Sequence, residues 1–97
     1  MSVYIVVQFS VHAPEQFEEY AVASRSTIAQ YNGRVVARGK VEEIRGSAPH
    51  PLGAILEFPN REAAFGWYHS KEYQALVPDR DAAAETTFVL YNGFGGQ

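Results

Sequence analysis

E-F-P-N-R-E-A-A-F-G-W-Y-H-S-K-E-Y-Q, residues 57–74, is the stretch that decides the fold. Ile55-Leu56-Glu57-Phe58 reads as the end of an apolar strand, and Pro59 stops it because proline cannot donate to a ladder. Asn60 stands where an N-cap belongs, with Glu62 in the first turn, where the helix dipole favours an acid. Ala63, Ala64, Trp67 and Tyr68 then recur at helical spacing. Gly66 weakens that helix but leaves room for a close neighbour. Ser70 caps the chain again, and Glu72-Tyr73 open a second helical segment. Trp67, the sole tryptophan, is expected in the core between helix and sheet. Burial of the tyrosines in the core requires a hydrogen-bond partner for each hydroxyl.

Upstream of this stretch, Val3 to Ser10 alternates. Val3, Ile5, Val7 and Phe9 fall on one face, and Tyr4, Val6, Gln8 and Ser10 on the other. Pro14 marks a helix start. Over Glu15–Gln30, Phe17, Tyr20, Ala21, Ser24 and Ile28 form a stripe that runs on to Tyr31. Asn32-Gly33 ends this helix in a left-handed cap. A second strand is expected over Arg34–Ile44, bent or bulged at Gly39, with Val35 and Ala37 on one face and Val36 and Arg38 on the other. Residues 46–53 read as a loop. The third strand places Ala54, Leu56 and Phe58 on one face, and Ile55 and Glu57 on the other. Downstream, Thr86–Asn92 is a fourth strand, followed by a loose tail over residues 93–97.

Ninety-seven residues make a single domain with a modest core, so burial through self-association is attractive. No apolar run reaches membrane-spanning length, and no signal peptide opens the chain. With no cysteine, disulfides, thiolate catalysis and zinc–cysteine sites are excluded, which fits a cytoplasmic protein. The formal net charge of −3 and scattered cations argue against a nucleic-acid partner.

The order β-α-β-β-α-β implies a ferredoxin-like α+β domain over residues 1–97, an antiparallel sheet with its helices on one face. Val6, Val36, Ile55 and one of Phe88 or Val89 then need a cover on the other face. A second copy of the sheet is the simplest cover, giving a homodimer.

P-E-Q-F-E-E-Y (Pro14–Tyr20), Y-N-G-R-V-V-A-R-G (Tyr31–Gly39) and the 57–74 stretch together resemble the domain of unknown function 1330 family, over nearly the whole chain. The resemblance implies a dimeric α+β barrel in which two ferredoxin-like sheets face each other. That superfamily also holds cofactor-free oxygenases, haem-degrading enzymes, isomerases and stress-response proteins, while the family itself has no established reaction. This sequence departs from the family in carrying His69 where an acid is common, and in a longer loop around His50.

Arg38 and Glu57 are the candidate catalytic pair. Alternation places both, with Gln8 and Tyr4, on the face away from the helices, which would line the barrel interior. There they form either a structural ion pair or a site in which Arg38 holds a small anion and Glu57 acts as base. Gln8, Tyr4, His50, Trp67 and His69 are the candidate ligand contacts. The three histidines are too scattered for a metal motif, so no metal is expected. No serine shows a nucleophile elbow, and no glycine run forms a phosphate loop or an anion cradle. Two functions stay open. One is an enzyme, an oxygenase or isomerase acting on a small molecule without an organic cofactor. The other is a non-catalytic dimer that binds a small ligand or a protein. Single-strand nucleic-acid recognition is disfavoured because the central strands lack paired exposed aromatics with basic neighbours.

Overall fold

A computed structural model describes residues 1–93, and the rest of the expected tail lies outside the described residues. The elements in order are β1 (Val3–Val11), α1 (Pro14–Gln30), β2 (Arg34–Lys40), β3 (Leu52–Phe58), α2 (Arg61–Tyr68), α3 (Lys71–Gln74), α4 (Val77–Ala83) and β4 (Ala84–Tyr91). The strands form one antiparallel sheet in the order β2-β3-β1-β4. This is the ferredoxin-like arrangement, with the second helix of the simple scheme broken into three. No helix among the described residues is long and apolar enough to cross a membrane.

Alternation along β1 governs the layering. Val3, Ile5, Val7 and Phe9 are buried under the helices, and their register partners Phe58, Leu56, Ala54 and Leu52 on β3 point the same way. Phe88 and Leu90 of β4 stand opposite Val7 and Ile5, so Phe88 belongs to the helix side and Val89 to the open face. From α1, Phe17, Tyr20, Ser24, Thr27 and Ile28 close the core. Trp67 reaches in from α2 at 1% exposure.

Local chemistry sets the helix ends. The Asn60 side chain accepts from Ala63 N at 2.8 Å. Ser70 Oγ accepts from Tyr73 N at 3.1 Å and donates to Trp67 O at 2.7 Å, which turns α2 sharply into α3. At the end of α1, Asn32 takes the left-handed conformation (φ 63°) and Gly33 N donates to Ile28 O at 3.0 Å. Gly33 is small for a different reason: a Cβ there would overlap the Phe58 ring.

Two expectations about β2 are corrected. The strand ends at Lys40, not Ile44, because one further backbone bond, from Val41 N to Pro51 O (2.9 Å), closes the ladder and leaves Ile44 fully in solvent. The bulge sits at Val36, not Gly39: Val35 faces Leu56 while Ala37 faces Ile55. One extra residue reverses every side chain beyond it. Arg38 therefore stands opposite Ala54 on the helix side of the sheet, while Arg34 stands opposite Glu57 on the open face.

Two stability measurements test this packing. Trp67→Ala should cost about 3–5 kcal/mol in urea unfolding, as a large buried aromatic does. Gly33→Ala should cost about 1–3 kcal/mol, because the added methyl must displace the Phe58 ring. Wild-type stability in either variant would show that its site is not close-packed.

Candidate functional site

Three groups of side chains carry chemical potential: a cavity under α1, a buried tyrosine–arginine network behind it, and a polar row on the open face of the sheet.

The cavity, of ≈ 70 Å³, lies between α1 and the sheet. It exists because residues at that interface are small. Ala21 and Ser24 on α1, and Ala54 on β3, sit where larger side chains would fill the layer. Its walls are aromatic and aliphatic, including Phe17, Tyr20, Leu56, Phe88 and, at the buried end, Trp67. Arg25 and Arg38 are the two charged residues of its lining, and both are exposed. The opening therefore faces the edge strand β2, whose residues are all exposed. Arg38 meets Glu18 of α1 at 3.6 Å, a long and solvent-exposed pair of the kind that adds little stability. The Trp67 indole N–H donates to Thr27 Oγ1 at 2.9 Å, so its polar atom is satisfied inside the core.

Behind the cavity, Arg80 is 7% exposed and donates from one terminal nitrogen to Tyr68 Oη and Tyr73 Oη, each at 3.1 Å. Its Nε donates to Asp81 at 3.0 Å, and its guanidinium lies 5.1 Å from the Phe88 ring centroid. Tyr73 Oη bonds in turn to Tyr20 Oη, and Tyr20 is a wall of the cavity. Burial pushes both phenols up from their ordinary values, most strongly Tyr20. Burial also works against the Arg80 charge, but hydrogen bonds to Tyr68 and Tyr73 outweigh it and hold the guanidinium protonated.

On the open face, Glu57 accepts from Arg34 Nε at 2.8 Å and from the Tyr4 hydroxyl at 3.3 Å. A hydrogen bond from Ser2, with the Arg34 guanidinium, holds its carboxyl below the usual range. Glu57 is thus where alternation placed it, but its cation is Arg34. Arg38 is one bulge away on the other side of the sheet. Gln8 and Tyr4 are on the open face as expected, and Gln8 Oε1 is buried without a hydrogen-bond partner among the described residues. His50 is brought to Ser10 at 2.9 Å between Nδ1 and Oγ, a Ser–His contact across 40 residues that no sequence signature announced. His69 stacks with Phe65 and lies edge-on to Tyr68, away from Glu57 and His50. Among the described residues, no three His, Asp or Glu side chains gather as metal ligands.

Arg80 and the tyrosine network were missed in the sequence, where nothing in the 75–85 stretch marks Arg80 as buried. The available signal was Tyr68 and Tyr73, two phenols that needed partners. Tyr73→Phe should cost about 1–3 kcal/mol in urea unfolding, since it strips one partner from Tyr20 and one from Arg80. Alkaline titration followed by ultraviolet absorbance should leave Tyr20 and Tyr73 neutral while the chain is folded. The unfolded chain releases protons that the fold keeps, so their contribution is complete below about pH 10 and is lost as pH rises above it. A Y20F/Y73F double variant should lose that alkaline decline. Glu57 has the opposite sign: its contribution is present above its unfolded value of 4.5 and is lost as pH falls below it.

Residues 2–94 match the family model described as domain of unknown function (DUF1330). No functionally curated protein matches the chain. Among solved structures it is similar to RPA0582, a protein of unknown function from Rhodopseudomonas palustris, with TM-score 0.79 and 16% identity, covering 96% of this chain and 82% of that one. SnoaB, a cofactor-independent oxygenase from Streptomyces nogalater, gives TM-score 0.72 and 18% identity over 96% of this chain and 93% of its own. A Bacteroides fragilis protein of unknown function, described as dimeric with a ferredoxin-like fold, gives 0.55 and 14%, covering 94% and 95%. Such identities carry the fold and leave activity to the site itself. Matched from its second residue to its ninety-fourth, and folded as four antiparallel strands under helices, the chain belongs to the DUF1330 family.

Proposed function

We propose that the chain is a small-molecule binder whose ligand enters the cavity under α1. The observation that carries this reading is the cavity itself, an apolar, aromatic-walled space with two cationic side chains in its lining and one open side. Apolar walls with few polar groups are the make-up of a ligand site, and a space of ≈ 70 Å³ admits a small apolar group. The barrel interior expected from alternation gives way to the helix side of the sheet, because that is where the bulge sends Arg38. A plug tests the reading. Ala21→Leu should fill the space and abolish quenching of Trp67 fluorescence by dissolved xenon, a small apolar heavy-atom quencher, while the chain stays folded by circular dichroism. Unchanged quenching would remove the cavity as the binding site.

The open face supports a homodimer. Val6, Ile55, Val89 and Tyr91 share it, the last two at 51% and 63% exposure, and Gln8 Oε1 there has no donor among the described residues. The related Bacteroides fragilis protein is described as dimeric. Sedimentation at micromolar concentration should give two chains, and Val89→Glu should return a folded monomer.

The catalytic reading is second. Its support is the likeness to SnoaB, together with the Glu57 carboxylate. With Arg34 in contact, Glu57 is held charged and weakly basic; it becomes a useful base only when a bound anion draws that cation away. Glu57→Gln and Arg38→Met separate the two readings. Loss of turnover with Glu57→Gln at intact ligand binding would favour catalysis. Loss of binding with Arg38→Met alone would favour a binding module.

A further inference from the structure

We infer that the ligand of this cavity is an organic anion, an apolar body bearing one carboxylate, taken up with its charge at the opening between Arg38 and Arg25. The inference rests on the cavity reading above and adds the chemical class of the ligand.

The charge balance at the opening is the argument. The chain as a whole is acidic, with eight Lys and Arg against eleven Asp and Glu. The cavity lining, by contrast, contains two guanidiniums and no carboxylate. Glu18, one turn before Ala21 on α1, is the acid that approaches, and it reaches only Arg38, at 3.6 Å. No carboxylate among the described residues lies within ion-pair distance of Arg25. One positive charge is left over beside an apolar hole.

The position of Arg38 is set by the register of β2. It reaches the helix side only through the extra residue at Val36. A guanidinium presents a planar fork that accepts a carboxylate through two parallel hydrogen bonds. Glu18 makes a single long contact instead, with 43% of the Arg38 side chain and 59% of its own in solvent. It occupies the fork loosely, as a group that an incoming carboxylate can replace. Beyond Arg38 the surface continues as an apolar groove past Phe9, Pro14 and Leu52 to Lys40, a further cation on the same side of the sheet. An anion therefore meets Lys40 and Arg38 on this approach, while its apolar part has the cavity to fill.

The test uses butanoate, whose short apolar chain suits a space of ≈ 70 Å³, and its neutral isostere butanamide, titrated into the intact chain by calorimetry. The acid should bind more tightly by at least about tenfold, the scale of a hydrogen bond to a charged group. High salt should weaken the acid and leave the amide unchanged. Arg38→Met, with Arg25→Met added if one cation suffices, should bring the acid down to the affinity of the amide. Glu18→Gln should tighten the acid only, because the internal competitor is gone. Thermal unfolding of each variant confirms that the fold is kept. Equal affinity of acid and amide in the wild-type chain would overturn the inference and leave the cavity standing. So would an acid preference that survives loss of both arginines. If neither probe binds, the cavity reading falls, and this inference with it.

Discussion

The ring of Trp67 is the contact on which the other elements depend. It packs against Phe58 of β3 at 5.5 Å between centroids and against Tyr73 of α3 at 4.3 Å, and its N–H is anchored on Thr27 of α1. Four elements thus meet on one side chain. Its neighbours inherit constraints from it. Phe58 is pressed towards the start of β2, so residue 33 has no room for a side chain. Tyr73 is held with its hydroxyl inward, so a buried donor and acceptor must be supplied, and Arg80 supplies part of that need. Low dielectric around such a network strengthens its bonds and penalises any missing member.

Sequence periodicity reached as far as periodicity is unique. The β1 alternation, the Asn60 and Ser70 caps and the core position of Trp67 are each written in residue types that have few other uses. Arg38 was misplaced for a specific reason. Val35, Val36 and Ala37 are all apolar, so sliding the pattern by one residue leaves the hydrophobic string unchanged, and nothing in it marks the extra residue. Glycine at 39 looked like the better site for a bulge, and it proves only to adopt an unusual φ of 155°. The contact between Ser10 and His50 was illegible for another reason: it joins a residue of β1 to the β2–β3 loop, whose path no local preference dictates.

Charge on this chain is sorted by face. Glu57 answers Arg34 on the open side, Arg38 is left to the helix side, and Arg80 is buried among phenols. These three arginines have three different environments despite their shared chemistry. The first is neutralised, the second is half-satisfied at the edge of an apolar space, and the third is enclosed and kept charged by oxygen acceptors. Only the second retains capacity for a partner from outside.

The bulge in β2 also bears on how the chain keeps its own company. β2 is an outer strand, and an outer strand offers unpaired backbone groups to any extended segment that drifts against it. Three cations, Arg34, Arg38 and Lys40, line this one, and the extra residue at Val36 breaks the even spacing that a docking strand must match. Like strands brought together there would set arginine against arginine over an irregular ladder. The irregularity that swings Arg38 to the helices thus also guards the sheet against runaway growth from that side, leaving lateral pairing to the far margin at β4.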